Sequence, residues 1–138
     1  MRLFVDTSIF VDCLRREVVN SSRLFLESLI ADNTGFTSAI AVAELSVGVH
    51  LSKRKDALDK TLELISLVEV IDINKDVAVE GGKIYSGLVK KGETIELNDC
   101  LISATSISQG VNKIVTRNVN HFERIKEIEV FTPEDLGY

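Results

Sequence analysis

Apolar residues recur along the chain in two alternating rhythms. Leu3-Phe4-Val5 is a short run of strand-forming residues that stops at Asp6-Thr7-Ser8, whose side chains can cap a helix; Ile9, Phe10, Cys13 and Leu14 then follow at helical spacing. Leu24, Phe25 and Leu29 predict a second helix from about Ser21 to Ala31, ending near Asp32-Asn33. Gly35-Phe36-Thr37 predicts a strand, with Ser38 capping an apolar helix through Ala43, Glu44, Val47 and Gly48. The stretch 52–66 predicts an amphipathic helix, and Val68 to Ile73 alternates as a strand does. Asn74 caps the helix that follows, which passes Val77, Gly81, Ile84 and Leu88 and ends at Gly92, where a positive φ is expected. Asn98 is expected to cap a further helix through Leu101, Ile102, Thr105 and Ile107 to Gly110. Lys113 to Thr116 reads as a strand, Val119 to Arg124 as a helical turn, Glu129 to Phe131 as a last strand, and Pro133 opens a closing turn.

Strands that alternate with helices, with no tight hairpin signal between them, predict an α/β protein with a parallel sheet covered on both faces. With 138 residues, 45% hydrophobic and a single Pro, the chain has room for one core, so residues 1–138 are expected to form one domain. Sixteen basic against twenty-one acidic residues give 16 − 21 = −5, which argues against coating nucleic acid or a membrane by bulk charge. Asp6 and Asp12 break the apolar N-terminus that a signal peptide needs, and no apolar run reaches the roughly 20 residues of a membrane span. A soluble, cytoplasmic protein is expected, with no membrane partner. Cys13 and Cys100 form no CxxC pair and are expected to be reduced, buried thiols.

In open parallel sheets, ligands bind beyond the carboxyl ends of the strands. Asp6 ends the first strand, Thr116 ends a late one, Asp99 stands in the first turn of a helix, and Glu44 joins them if its helix tips its second turn to that edge. Each of the three acids interrupts apolar sequence, where an isolated carboxylate is expensive to desolvate. No Lys or Arg lies within a helical turn of Glu44 or Asp99, and Glu44 is the only charged residue between Asp32 and Lys53. Capping alone would account for Asp6 and Asp99, taken singly. A bound divalent cation would resolve both the burial and the mutual repulsion, and oxygen ligands without His or Cys favour Mg²⁺ or Mn²⁺ over zinc.

The segments Val5-Asp6-Thr7-Ser8, Ala43-Glu44-Leu45, Asn98 to Thr105 and Val115-Thr116-Arg117-Asn118 with His121-Phe122 stand in the order and spacing of a known family. The chain resembles the PIN-domain ribonucleases, in particular the small VapC-type toxins of toxin–antitoxin pairs, over essentially its whole length. The resemblance implies a three-layer α/β/α sandwich around a short parallel sheet and a Mg²⁺- or Mn²⁺-dependent endoribonuclease. It makes Asp6, Glu44 and Asp99 the metal-binding acids and sets Ser8 and Thr116 beside the metal. The family often carries a further acid in the segment that holds Asn118 and His121, and here neither position is acidic. That departure leaves open a catalytically weakened PIN-like scaffold that binds RNA or protein without cutting.

For RNA, Lys113, Arg117, Arg124 and Lys126 set against Glu123 give a local 4 − 1 = +3. Arg117 is the first choice for a phosphate contact, with Asn118 and His121 beside it; Lys53-Arg54-Lys55 reads as a solvated helix start. The resemblance further implies a cognate antitoxin over the active-site groove and a homodimer through N-terminal helices. Leu24, Phe25, Leu29, Leu58, Leu62 and Ile65 could supply such a surface, with core packing as their other use. A phosphoacceptor receiver would need an acid at position 7 and a haloacid-type phosphatase one at position 8, where Thr7 and Ser8 stand; the glycines form neither GxGxxG nor a P-loop.

Overall fold

In a computed structural model, which describes residues 1–138, Leu3-Phe4-Val5 lies at the centre of the molecule. The strands are β1 (Arg2–Val5), β2 (Thr34–Ser38), β3 (Glu69–Ile71), β4 (Lys113–Val115) and β5 (Glu129–Phe131). The helices are α1 (Thr7–Leu14), α2 (Asn20–Ser28), α3 (Ala39–Leu51), α4 (Ala57–Ile65), α5 (Lys75–Lys90), α6 (Leu97–Ser108) and α7 (Val119–Phe122), and a 3-10 turn, Glu134–Leu136, closes the chain. All strand pairs are parallel, in the order β3-β2-β1-β4-β5.

Because successive strand residues face opposite ways, β1 feeds two cores. Leu3 and Val5 pack with Ile9, Phe10, Phe25, Leu26, Leu29, Leu45 and Val115 on one side of the sheet. Phe4 packs with Phe36, Cys100, Ile102, Ile114 and Phe122 on the other. That is the parallel sheet covered on both faces that the sequence pattern predicts and the α/β/α sandwich that the resemblance implies.

The chain leaves β1 toward β2 and β3, then crosses back to β4 on the other side of β1. Strand order therefore reverses between β1 and β4, the switch point where loops diverge and leave a crevice. Val5 pairs with Val115, so the residues that follow, Asp6 and Thr116, emerge side by side into it.

Most expected helix ends hold: Ser38 accepts from the Ile40 N–H and Asn74 from the Val77 N–H, while Gly92 and Gly110 take φ of 71° and 66°. Two do not. α6 begins at Leu97, because the Glu96 carbonyl already accepts the Cys100 N–H, so Asn98 lies inside the first turn and caps nothing. α4 begins at Ala57, since the Ser52 hydroxyl accepts the Arg54 N–H and Arg54 pairs with Asp56, holding 52–56 in a turn. Of the apolar residues expected to offer a partner surface, Phe25 and Leu29 are core, whereas Leu24, Leu58 and Leu62 face outward.

Candidate active site

Asp6 ends β1 and caps α1, accepting the Ser8 N–H. The same oxygen, Oδ2, accepts the Ser8 hydroxyl at 2.7 Å and the Thr116 hydroxyl at 2.7 Å. Three donors converge on one oxygen and none of them reaches Oδ1. Thr116 accepts in turn from the Asn118 N–H, and Ser8 accepts from the Arg117 N–H at 2.9 Å. Asp6 and Thr116 are both buried. No cation pairs with Asp6, so hydroxyls and a backbone amide alone compensate its burial on the protein side.

Glu44 comes from the second turn of α3, half-buried, and its Oε1 accepts the Thr7 hydroxyl at 2.8 Å. Burial raises its pKa against the lowering effect of Thr7, and the charges of Asp6 and Asp99 raise it further. Asn98, freed from capping, faces Glu44 and lowers it slightly. Asp99 is buried in the first turn of α6, with its Oδ2 2.9 Å from His121 Nδ1. Its pKa too is raised, by burial first and by Asp6 and Glu96 after the opposing effect of His121. The three acids thus sense one another across the crevice, and neither Lys nor Arg pairs with any of them.

Asp6 and Asp99 each have one oxygen in a hydrogen bond and one without a protein partner, while Glu44 is held by Thr7 at Oε1 with Asn98 beside it. As carboxylates that repel one another stand apart, no three acidic, imidazole or thiol side chains close up into a finished ligand cluster. The donor set itself is oxygen-rich, open and anionic, which fits a hard divalent cation that keeps several of its waters.

The structure brings together Asp6, Ser8, Glu44, Asp99, Thr116 and His121, with exposed Asn118 at their margin. It does not bring the Arg117 side chain there. The guanidinium turns away and bonds Asp12, Glu134, Ser21 and Ser22, so the expected phosphate contact is corrected: its donors are already engaged inside the protein. Of the expected basic patch, Lys113 opens β4 and Lys126 precedes β5, at the amino ends of those strands and away from this edge, whereas Arg124 donates to the carbonyls of Glu93 and Thr94, and Thr94 lines a groove with His121.

Basic side chains line a neighbouring cleft instead. A cleft of about 210 Å³ between α1, α3 and α4 touches the acids through Glu44 and is rimmed by Arg15, Arg54 and Lys60 over an apolar floor of Val11, Leu14 and Leu45. Arg54 belongs to the run that the sequence offered only as a solvated helix start. Thr7 and Asp12 were also missed, although Thr7 stands beside Asp6 in the motif and Asp12 interrupts the apolar face of α1. Both cysteines are free; burial pushes Cys13 and Cys100 up to about 11 each, which leaves them unreactive at neutral pH.

A five-stranded parallel sheet with paired acids and hydroxyls at its switch point defines a class, and the PIN domain family matches residues 3–128. The chain belongs to that family. Among curated relatives it is 33% identical over 129 residues to Ribonuclease VapC2 of Rickettsia felis, covering 93% of this chain and 95% of that one. It is 32% identical over 94 residues to the tRNA(fMet)-specific endonuclease VapC of Salmonella typhimurium, covering 67% and 70%. Among solved structures, VapBC2 from Rickettsia felis bound to a promoter DNA fragment superposes with a TM-score of 0.83 at 31% identity, covering 96% of this chain and 98% of that one.

Proposed function

We propose that this protein is a Mg²⁺- or Mn²⁺-dependent endoribonuclease of the VapC kind, the toxin of a toxin–antitoxin pair. One observation carries the reading: Asp6, Glu44 and Asp99 border one crevice, closely enough that the charge of Asp6 adds to burial in raising the pKa of the other two; each is held by a hydroxyl or imidazole and none is paired with Lys or Arg. Asp6, Glu44 and Asp99 would hold the cation, with Thr116 and Ser8 keeping Asp6 in place and Thr7 and His121 doing so for Glu44 and Asp99. A divalent cation in such a site supplies an activated water and neutralises charge that builds on the scissile phosphate. Asn118 and His121 would contact the RNA. His121 forms one wall of a groove with Tyr85, Thr94, Glu96 and Leu97, where RNA can lie beside Asp99.

The relatives solved as VapBC complexes support an antitoxin partner for this chain as well. The cleft that ends at Glu44 suits a segment with an apolar face and acidic flanks, and such a segment would occlude the acids from RNA. A homodimer completes the proposal, with Leu58 and Leu62 as the outward apolar pair on α4; a mass of twice 15.3 kDa by light scattering checks it.

Purified protein is expected to cut one or more of a panel of tRNA, rRNA and unstructured RNA with Mg²⁺ or Mn²⁺, and to stop in EDTA. Asp6→Asn, Glu44→Gln and Asp99→Asn should each lower the rate by about 10²-fold or more, the scale seen when a preorganised charge stabiliser is removed. Folded variants that cleave at the wild-type rate would overturn the site, and RNA binding without cleavage, indifferent to EDTA, would establish the scaffold instead.

A further inference from the structure

The most densely bonded charged group in the molecule lies outside the crevice. Arg117 donates from Nε to Asp12 Oδ2 at 2.7 Å, from Nη1 to Glu134 Oε2 at 2.6 Å and from Nη2 to the hydroxyls of Ser21 and Ser22 at 2.9 Å each. Ser22 also donates to Asp12 at 2.6 Å, and Ser21 to Glu134. One side chain therefore ties α1, α2 and the closing 3-10 turn to the residue that follows Thr116. Asp12 is only 3% exposed, and Arg117 is its close ion pair, with the more exposed Arg15 3.8 Å from its other oxygen. Glu134, though outward, is held at about pKa 2, chiefly by Arg117 and then by Ser21.

The backbone of the same residue points the other way. Its N–H holds the Ser8 hydroxyl, which donates to Asp6 Oδ2, and its neighbours Thr116 and Asn118 complete that set of bonds. Ser8 has one proton and gives it to Asp6; the Arg117 N–H fixes the direction in which it does so. If the 116–118 segment shifts, both hydroxyls on Asp6 Oδ2 move with it, and the carboxylate loses the bonds that fix its orientation.

We propose that Arg117 is a positioning residue of the active site. Its guanidinium anchors the 116–118 segment to α1, α2 and the C-terminal turn, and its backbone sets Ser8 and thereby Asp6. This rests on the metal-dependent reading above, and it replaces the phosphate contact expected from sequence. Groups that orient a ligand from behind typically change metal affinity or activity 10- to 100-fold when altered, roughly the effect expected here.

The test compares wild type, Arg117→Lys and the double variant Asp12→Leu/Arg117→Met by Mn²⁺ binding in the absence of RNA, by kcat and KM on RNA, and by thermal melting. Lys keeps the charge but not the planar fork that spans three elements. The double variant replaces a buried ion pair with apolar side chains, a change that often leaves stability intact, so it carries the test if the single variant unfolds. Expected are Mn²⁺ affinity and kcat about 10- to 100-fold lower in both variants, with KM unchanged and the double variant melting close to wild type. A raised KM at unchanged kcat and Mn²⁺ affinity would make Arg117 a phosphate contact, and a double variant with wild-type affinity and kcat would make the network merely structural; either overturns the proposal. Wild-type protein that neither binds Mn²⁺ nor cuts RNA would be a separate failure, of the nuclease reading itself.

Discussion

Ser103 is the one buried side chain with a polar atom that finds no partner. Its hydroxyl sits in α6, one turn beyond Asp99, fully enclosed. A buried hydroxyl without a hydrogen bond costs about 1–3 kcal/mol, and Ser is also a weaker helix former than Ala. Ser103→Ala should therefore stabilise the protein by about 1 kcal/mol or more, seen as a rise of roughly 2–4 °C per kcal/mol in the melting temperature. An unchanged or lower melting point would mean that the hydroxyl is satisfied in solution. At this same scale the acids of the site were legible in the sequence, since Asp6, Glu44 and Asp99 each interrupt apolar runs with no local cation. Arg117 was not. Its partner Asp12 lies 105 positions away, and a side chain's direction across that separation depends on how α1 packs on β4, which no local pattern records.

The adjacent glycines of α5 show how packing decides what helix propensity cannot. Gly81 faces α6, where an added Cβ would come within 2.5 Å of Leu101 Cδ2 and 3.4 Å of its Cα. Gly82 faces open space. Gly82→Ala should stabilise by about 0.5–1 kcal/mol, because Gly in a helix interior is disfavoured by that amount. Gly81→Ala gains the same propensity but forces Leu101 or the two helix axes to move, an overpacking cost of about 1–3 kcal/mol that leaves it net destabilised. Denaturant midpoints for the two variants should shift in opposite directions; shifts of one sign would mean that α5 and α6 are not packed this closely. Strands, helices and most caps were legible from the periods of apolar residues. The misplaced starts of α4 and α6 were not, because Ser52 and Asn98 have capping chemistry but direct it elsewhere, one to a turn and the other toward Glu44.

Across the whole molecule the acids create opposing dependences on pH. Burial raises the folded-state pKa of Glu44 and Asp99 above their ordinary values of 4.5 and 3.8. Between those ordinary values and the raised ones the folded chain binds more protons than the unfolded chain, so without a cation their contribution to stability falls as pH rises through that window. Glu134 works the other way: held at about 2, it contributes fully above 4.5 and loses that contribution as pH falls toward 2. In EDTA, Glu44 and Asp99 should accordingly weaken the fold as pH rises above their ordinary values, while Glu134 strengthens it. Saturating Mn²⁺ should offset that weakening, stabilising by about 2.7 kcal/mol at a hundredfold excess over the dissociation constant. Glu44→Gln isolates the cause, since it removes a carboxylate that is costly to ionise. In EDTA at pH 7 that variant should melt above wild type, and Mn²⁺ should raise it far less. A Glu44→Gln protein that melts no higher than wild type in EDTA at pH 7, or that gains as much from Mn²⁺ as wild type does, would show that the crevice acids are not the groups that a cation relieves.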